Sequence, residues 1–133
     1  MDTTHIGIGL GAAPGRLRGA TPDSNNLGGT IYTDDPLGDV VSTDGDAVLR
    51  GETVEFIKLD VEGMETEILD GLRETINRCR PTLFVEVFDR HLDAFRAWCA
   101  AMSYSICEDY TRYPHICNYL VRPSESVSLP RRS

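Results

Sequence analysis

The chain has 133 residues, 41% of them hydrophobic, and a formal net charge of −8; it is one domain's worth of polypeptide, long enough to bury roughly two-thirds of its unfolded surface, which excludes disorder throughout. No basic cluster is larger than Arg131-Arg132, so nucleic acid and anionic membrane are not expected as partners, and a small soluble substrate fits better. No run approaches the roughly 20 apolar residues of a membrane span, and Met1-Asp2-Thr3-Thr4 lacks the regions of a secretory signal, so the expected address is the cytoplasm.

In chain order, the amino-terminal third is rich in Gly, Pro, Asp and Asn. It predicts a first strand at His5 to Leu10, a turn around Ala13-Pro14-Gly15, and turn chemistry through Asp23 to Gly29. Val40-Val41, inside Gly38 to Thr43, predicts a short strand before a brief helix near Asp46 to Leu49. From Val54 the signals sharpen. Val54 to Val61 is a buried-strand run, and Gly63 releases the chain into a helix whose early acids, Glu65 and Glu67, suit the positive end of its dipole. Met64, Ile68, Leu69, Leu72 and Ile76 give that helix one apolar face.

Pro81 opens the next strand, Thr82 to Phe88, and Leu92, Phe95, Trp98, Cys99 and Met102 mark a second amphipathic helix. This β-α-β-α run implies a parallel sheet with right-handed crossovers and helices covering its faces. Tyr104 to Cys107 and Ile116 to Val121 are strand-like and joined by an Asp109 to His115 loop too short for a helix, so an antiparallel hairpin closes the fold. Cys79, Cys99, Cys107 and Cys117 are spaced too widely for metal knuckles and read as reduced core or near-core residues.

Strands in open α/β sheets present ligands at their carboxyl ends, which makes the exit of Phe56-Ile57-Lys58-Leu59-Asp60-Val61-Glu62-Gly63 the place to look for chemistry. Lys58, Asp60 and Glu62 share a strand parity, so both acids would point to one side. The alternatives are that Asp60 pairs with Lys58 or caps a turn, and that Glu62 only stabilises the helix start. Glu86 interrupts an apolar strand and needs a partner or water; a Lys58–Glu86 pair stands beside a role at the same rim. His115 could act as a base if its loop folds over the acids, though such residues are more often exposed. No His has the spaced companions of a metal site. Gly7-Ile8-Gly9-Leu10-Gly11 resembles a nucleotide-binding glycine loop, but the stretch from Gly9 to Asp60 is too short for the three βαβ steps, of roughly 30 residues each less shared strands, that such a placement needs.

Phe56 to Glu65, followed after a helix by Arg80-Pro81-Thr82-Leu83-Phe84-Val85-Glu86-Val87, resembles the FkbM-type methyltransferase family. The similarity extends to the Ala12 to Gly15 turn, Asn26 to Gly29 and Asn118-Tyr119-Leu120, about residues 5 to 122. It implies an α/β fold, a partial class I methyltransferase (Rossmann-like) sheet, with S-adenosylmethionine as cofactor and a sugar or small-metabolite hydroxyl as methyl acceptor. In that register the two blocks are the fourth and fifth strands, His5 to Leu10 is an interior strand, and Asp60, Glu62 and Glu86 are the catalytic candidates. No cofactor-binding residue is assigned, because the strands that hold the cofactor in the family precede the matched region. The resemblance therefore implies a partial methyltransferase domain at 1–122, a flexible tail at 123–133 and an N-terminally truncated enzyme that binds its cofactor weakly or not at all. Loss of those strands would expose a sheet edge to an oligomer or partner chain. The competing expectation is a non-catalytic remnant that acts as a protein-interaction module through that edge.

Overall fold

The structure, a computed structural model, describes residues 7–22, 25 and 29–124. The predicted strand at His5-Ile6, most of the Asp23 to Gly29 turn and the tail from Glu125 lie outside the described residues.

The Gly- and Asp-rich third can sustain only short strands, because each turn-forming residue interrupts backbone pairing. Its strands are β1 (Gly9–Gly11), β2 (Gly15–Ala20), β3 (Ile31–Asp34) and β4 (Val40–Asp44). They form one sheet in the order β1-β4-β2-β3, with only the β1–β4 pair parallel. The expected interior strand is thus corrected: the described part of His5 to Leu10 begins an edge strand. A brief helix, α1 (Gly45–Val48), follows as anticipated, capped by the Asp44 carboxylate, which accepts from Ala47 N–H at 2.8 Å.

The second sheet is built from β5 (Phe56–Leu59), β6 (Thr82–Phe88), β7 (Tyr104–Tyr113) and β8 (Ile116–Pro123), in the order β5-β6-β8-β7. β5 and β6 run parallel, whereas β6–β8 and β8–β7 are antiparallel, so the predicted parallel pair and closing hairpin are both present. The hairpin is longer than expected. Asp109 to Tyr113 continue β7 instead of looping, because Tyr110, Thr111 and Tyr113 are strand formers that find partners on β8. Only Pro114 and His115 turn the chain.

Between the two parallel strands the predicted single helix is split into α2 (Glu65–Gly71) and α3 (Arg73–Cys79) at Leu72. The end of α2 packs closely: a Cβ on Gly71 would lie 2.2 Å from the Gly11 carbonyl oxygen, so α2 can press against β1 only with glycine there. Asp46 of α1 then receives the start of α3, accepting from the N–H groups of Glu74 and Thr75 at 2.9 and 2.8 Å. A 3-10 turn over Asp89–His91 leads into α4 (Leu92–Ala101), which packs on β6 and β7.

The core lies on one face of the second sheet. Leu83, Val85 and Val87 of β6, with Cys117, Tyr119 and Val121 of β8, are buried against Ile68, Leu69, Phe95 and Trp98 of α2 and α4. The alternate residues, Phe84, Glu86, Phe88, Asn118 and Leu120, are half-buried. The expectation of helices over both faces therefore holds for one; polar side chains at Lys58, Glu86 and Asn118 suit the other to partial solvation.

Candidate functional site

The pairing register carries the chemistry to one end of the second sheet. Lys58 faces Phe84, Leu59 faces Val85, and Glu86 faces Asn118, which in turn faces Tyr110. Asp60, the residue after β5, thus comes level with Glu86. The Asp60 carboxyl and the Asn118 side chain are both close enough to act on the Glu86 carboxyl. Burial, followed by the nearby charges of Asp60 and Glu62, pushes the Glu86 carboxyl above its ordinary range, with Asn118 acting in the opposite direction.

Asp60 also accepts from Lys58 Nζ at 2.9 Å, with both side chains about half exposed. Lys58 therefore serves Asp60, and the alternative of a structural Lys58–Glu86 pair is corrected. An ion pair this exposed contributes little to stability. Its consequence is orientation of one Asp60 oxygen.

Glu62 reaches the cluster by a different route from the one its parity suggests. β5 ends at Leu59, and Glu62 and Gly63 adopt left-handed conformations, with φ of 50° and 102°. A turn, closed by a Met64 N–H to Val61 carbonyl bond of 3.3 Å, brings its carboxylate near Glu86. A non-glycine residue at such φ is strained and persists only where its surroundings impose it.

A cleft of about 720 Å³ opens beside these acids, within the range of roughly 300–1,000 Å³ of small-molecule sites. Ile8, just before β1, with Leu10, Leu17 and Val40 of the first sheet, gives the cleft an apolar wall, and Lys58, Asp60, Val61, Glu62 and Met64 also line it. Glu86 stands beside the acids but outside the lining. Asp60 and Glu62 against one lysine leave this rim net negative, suited to a cationic rather than a phosphorylated ligand.

His115 is placed elsewhere. Its side chain is 85% exposed, with Nδ1 3.2 Å from an Asp89 carboxylate oxygen rather than over the acids. The glycine run at Gly7 to Gly11 contributes wall, not a phosphate cradle: β1 leads into a bend and β2, with no helix N-terminus to receive an anion. A Cβ at Gly9 would meet Leu17 Cδ1 at 2.9 Å, so this glycine serves packing. Among the described residues, no group of three or more His, Cys, Asp or Glu side chains could hold a metal ion.

Three participants escape the sequence reading. Glu65 is 2% exposed, accepts from Gly63 N–H at 2.9 Å and has its second oxygen 3.2 Å from His91 Nδ1. Neither spacing nor type announces a pair 26 residues apart. Asn118, seen in the sequence only as part of a resemblance, is the cross-strand partner of Glu86.

No curated protein and no solved structure matches the chain. Over residues 11–124, which include the whole second sheet, strands β2 to β4 of the first and every acid of the cluster, the sequence matches the Methyltransferase FkbM domain. The chain belongs to the FkbM methyltransferase family.

Proposed function

We propose that the protein is an S-adenosylmethionine-dependent O-methyltransferase acting on a hydroxyl of a sugar or other small metabolite. The observation that carries this reading is the convergence of Asp60 and Glu62 on an apolar-walled cleft at the exit of β5, within a matched methyltransferase domain. S-adenosylmethionine is the cofactor typical of a methyltransferase family, and the donor chemistry fits it: the acidic rim complements a cationic sulfonium, and the apolar wall of Ile8, Leu10 and Leu17 suits the less polar parts of such a ligand. When bound, the cofactor supplies an electrophilic methyl carbon on a positively charged sulfur.

The chain's own groups then divide the remaining work. Asp60 accepts the proton of the substrate hydroxyl, one of its oxygens being held by Lys58 so that the carboxylate is oriented toward the reacting oxygen. Glu62, from the opposite end of the turn, contributes negative charge at the same rim. Glu86 acts on Asp60 through the electrostatic coupling of the two neighbouring carboxyls. Ile8, Leu10 and Val61 keep water from the reacting groups, which strengthens these interactions.

The test is transfer of a radiolabelled methyl group from S-adenosylmethionine to a panel of hydroxyl-bearing sugars and small metabolites. Asp60→Asn is expected to lower the rate about 10²–10⁴-fold, the usual contribution of a positioned base. A rate unchanged by Asp60→Asn removes that residue as the base.

A further inference from the structure

Glu65 is a carboxylate buried to 2% exposure at the start of a helix, and both its oxygens are engaged. One accepts from the N–H of Gly63, the residue that follows left-handed Glu62 and is itself left-handed. The other faces His91 Nδ1, on the 3-10 turn that follows β6. Arg90 Nε donates to His91 Nε2 at 3.3 Å. Because that nitrogen accepts, the ring proton belongs on Nδ1, where it donates to Glu65. The result is a continuous chain of bonds, from Arg90 through His91 and Glu65 to the Gly63 amide.

This chain joins the exits of two neighbouring parallel strands. On one side it holds the turn that carries Asp60 and Glu62 out of β5; on the other it is anchored to the segment leaving β6. Glu62 has an unfavourable backbone conformation, so something must hold it there. Glu65 is the group that bonds the turn directly. The packing is close: a Cβ on Gly63 would stand 3.4 Å from His91 Cε1.

We propose that Glu65, anchored by His91, is a positioning residue that locks the Val61–Met64 turn and so holds the Asp60 and Glu62 carboxylates at the cleft. This role rests on the methyltransferase reading only for its purpose; the lock itself is a property of the folded chain.

The experiment follows two nuclear magnetic resonance signals in the full chain: the ¹⁵N shifts of His91 and the ¹³C titration of the Glu86 carboxyl, which senses Asp60 and Glu62. The parent is expected to show the Nδ1–H tautomer and a Glu86 midpoint above the ordinary range. Glu65→Ala frees the turn, so the part of the Glu86 shift that comes from Asp60 and Glu62 should be lost and the midpoint should fall, the part due to burial remaining. Glu65→Gln keeps an oxygen for Gly63 N–H and presents an amide N–H to His91. It should retain the raised midpoint while the imidazole changes tautomer and gives up the bond it accepts from Arg90.

If Glu65→Ala does not fold, His91→Ala, at a side chain 32% exposed, removes the anchor of Glu65 and should lower the midpoint to a smaller extent. A folded Glu65→Ala or His91→Ala protein with the parental Glu86 midpoint overturns the proposal, as does a Glu65→Gln midpoint as low as that of Glu65→Ala. Methyl transfer enters none of these readouts, so an inactive chain leaves the lock standing, and a failed lock leaves the methyltransferase reading standing.

Discussion

Glu86 is where the residue-scale electrostatics can be read most directly. Its raised carboxyl pKa comes first from burial and then from Asp60, whose charge opposes ionisation beside it. A carboxyl that binds its proton more tightly folded than unfolded makes the folded state lose stability as pH rises from the ordinary carboxyl range through the folded value; above that window the loss is complete. Glu86→Gln is therefore expected to be more stable than the parent near neutral pH, with the difference shrinking as pH falls below the window. Urea unfolding across pH measures it, and a gap that widens on acidification would contradict the assignment. The cysteines offer a separate check. Burial pushes the Cys99 thiol up to about 11, whereas Cys107 is exposed. A thiol alkylating reagent near pH 8 should modify Cys107 and spare Cys99 in the native protein; equal labelling of the two would show that α4 does not pack as described.

At the scale of elements, β6 was legible in the sequence from end to end, because alternating burial on a strand this apolar leaves few other solutions. The helix after Gly63 was legible as a helix but not as two. Its division at Leu72 falls beside the close contact between Gly71 and Gly11, a tertiary meeting that periodicity does not encode. Replacing Gly71 by Ala should cost about 1–3 kcal/mol, the usual penalty for overpacking, measurable as a lower urea midpoint; parental stability would mean that α2 and β1 are not in close contact. The β7 hairpin was undervalued for a related reason. Asp109 and Arg112 gave its middle a loop-like polarity, yet cross-strand pairing with β8 prevailed. The left-handed turn at Glu62 and Gly63 was equally hidden, since parity alone brings Glu62 to the right side for the wrong reason.

Over the whole molecule, two four-stranded sheets meet along a cleft, and the candidate site belongs to both. The acids at the exit of β5 were visible in the sequence because strand ends in α/β folds are where ligands sit. The opposite wall was not, because residues from Gly7 to Val40 carry no periodic signal and acquire meaning only through the order β1-β4-β2-β3. Cooperation across the cleft rests on α1 and α2: Asp46 caps α3, and Gly71 admits β1. The acidic balance of the chain, −8 overall, reinforces the net negative rim and predicts that raising ionic strength weakens binding of a cationic ligand at this half-exposed edge.

On the function proposed above, the methyl donor and its acceptor meet in this cleft, with Asp60 and Glu62 on its rim. Titration of ¹⁵N-labelled protein with S-adenosylmethionine tests it most directly. Amide shift changes are expected at Lys58 to Met64 and at Ile8 to Leu10, and Asp60→Asn should diminish them. Changes confined to residues away from the cleft, or none at millimolar cofactor, would contradict it.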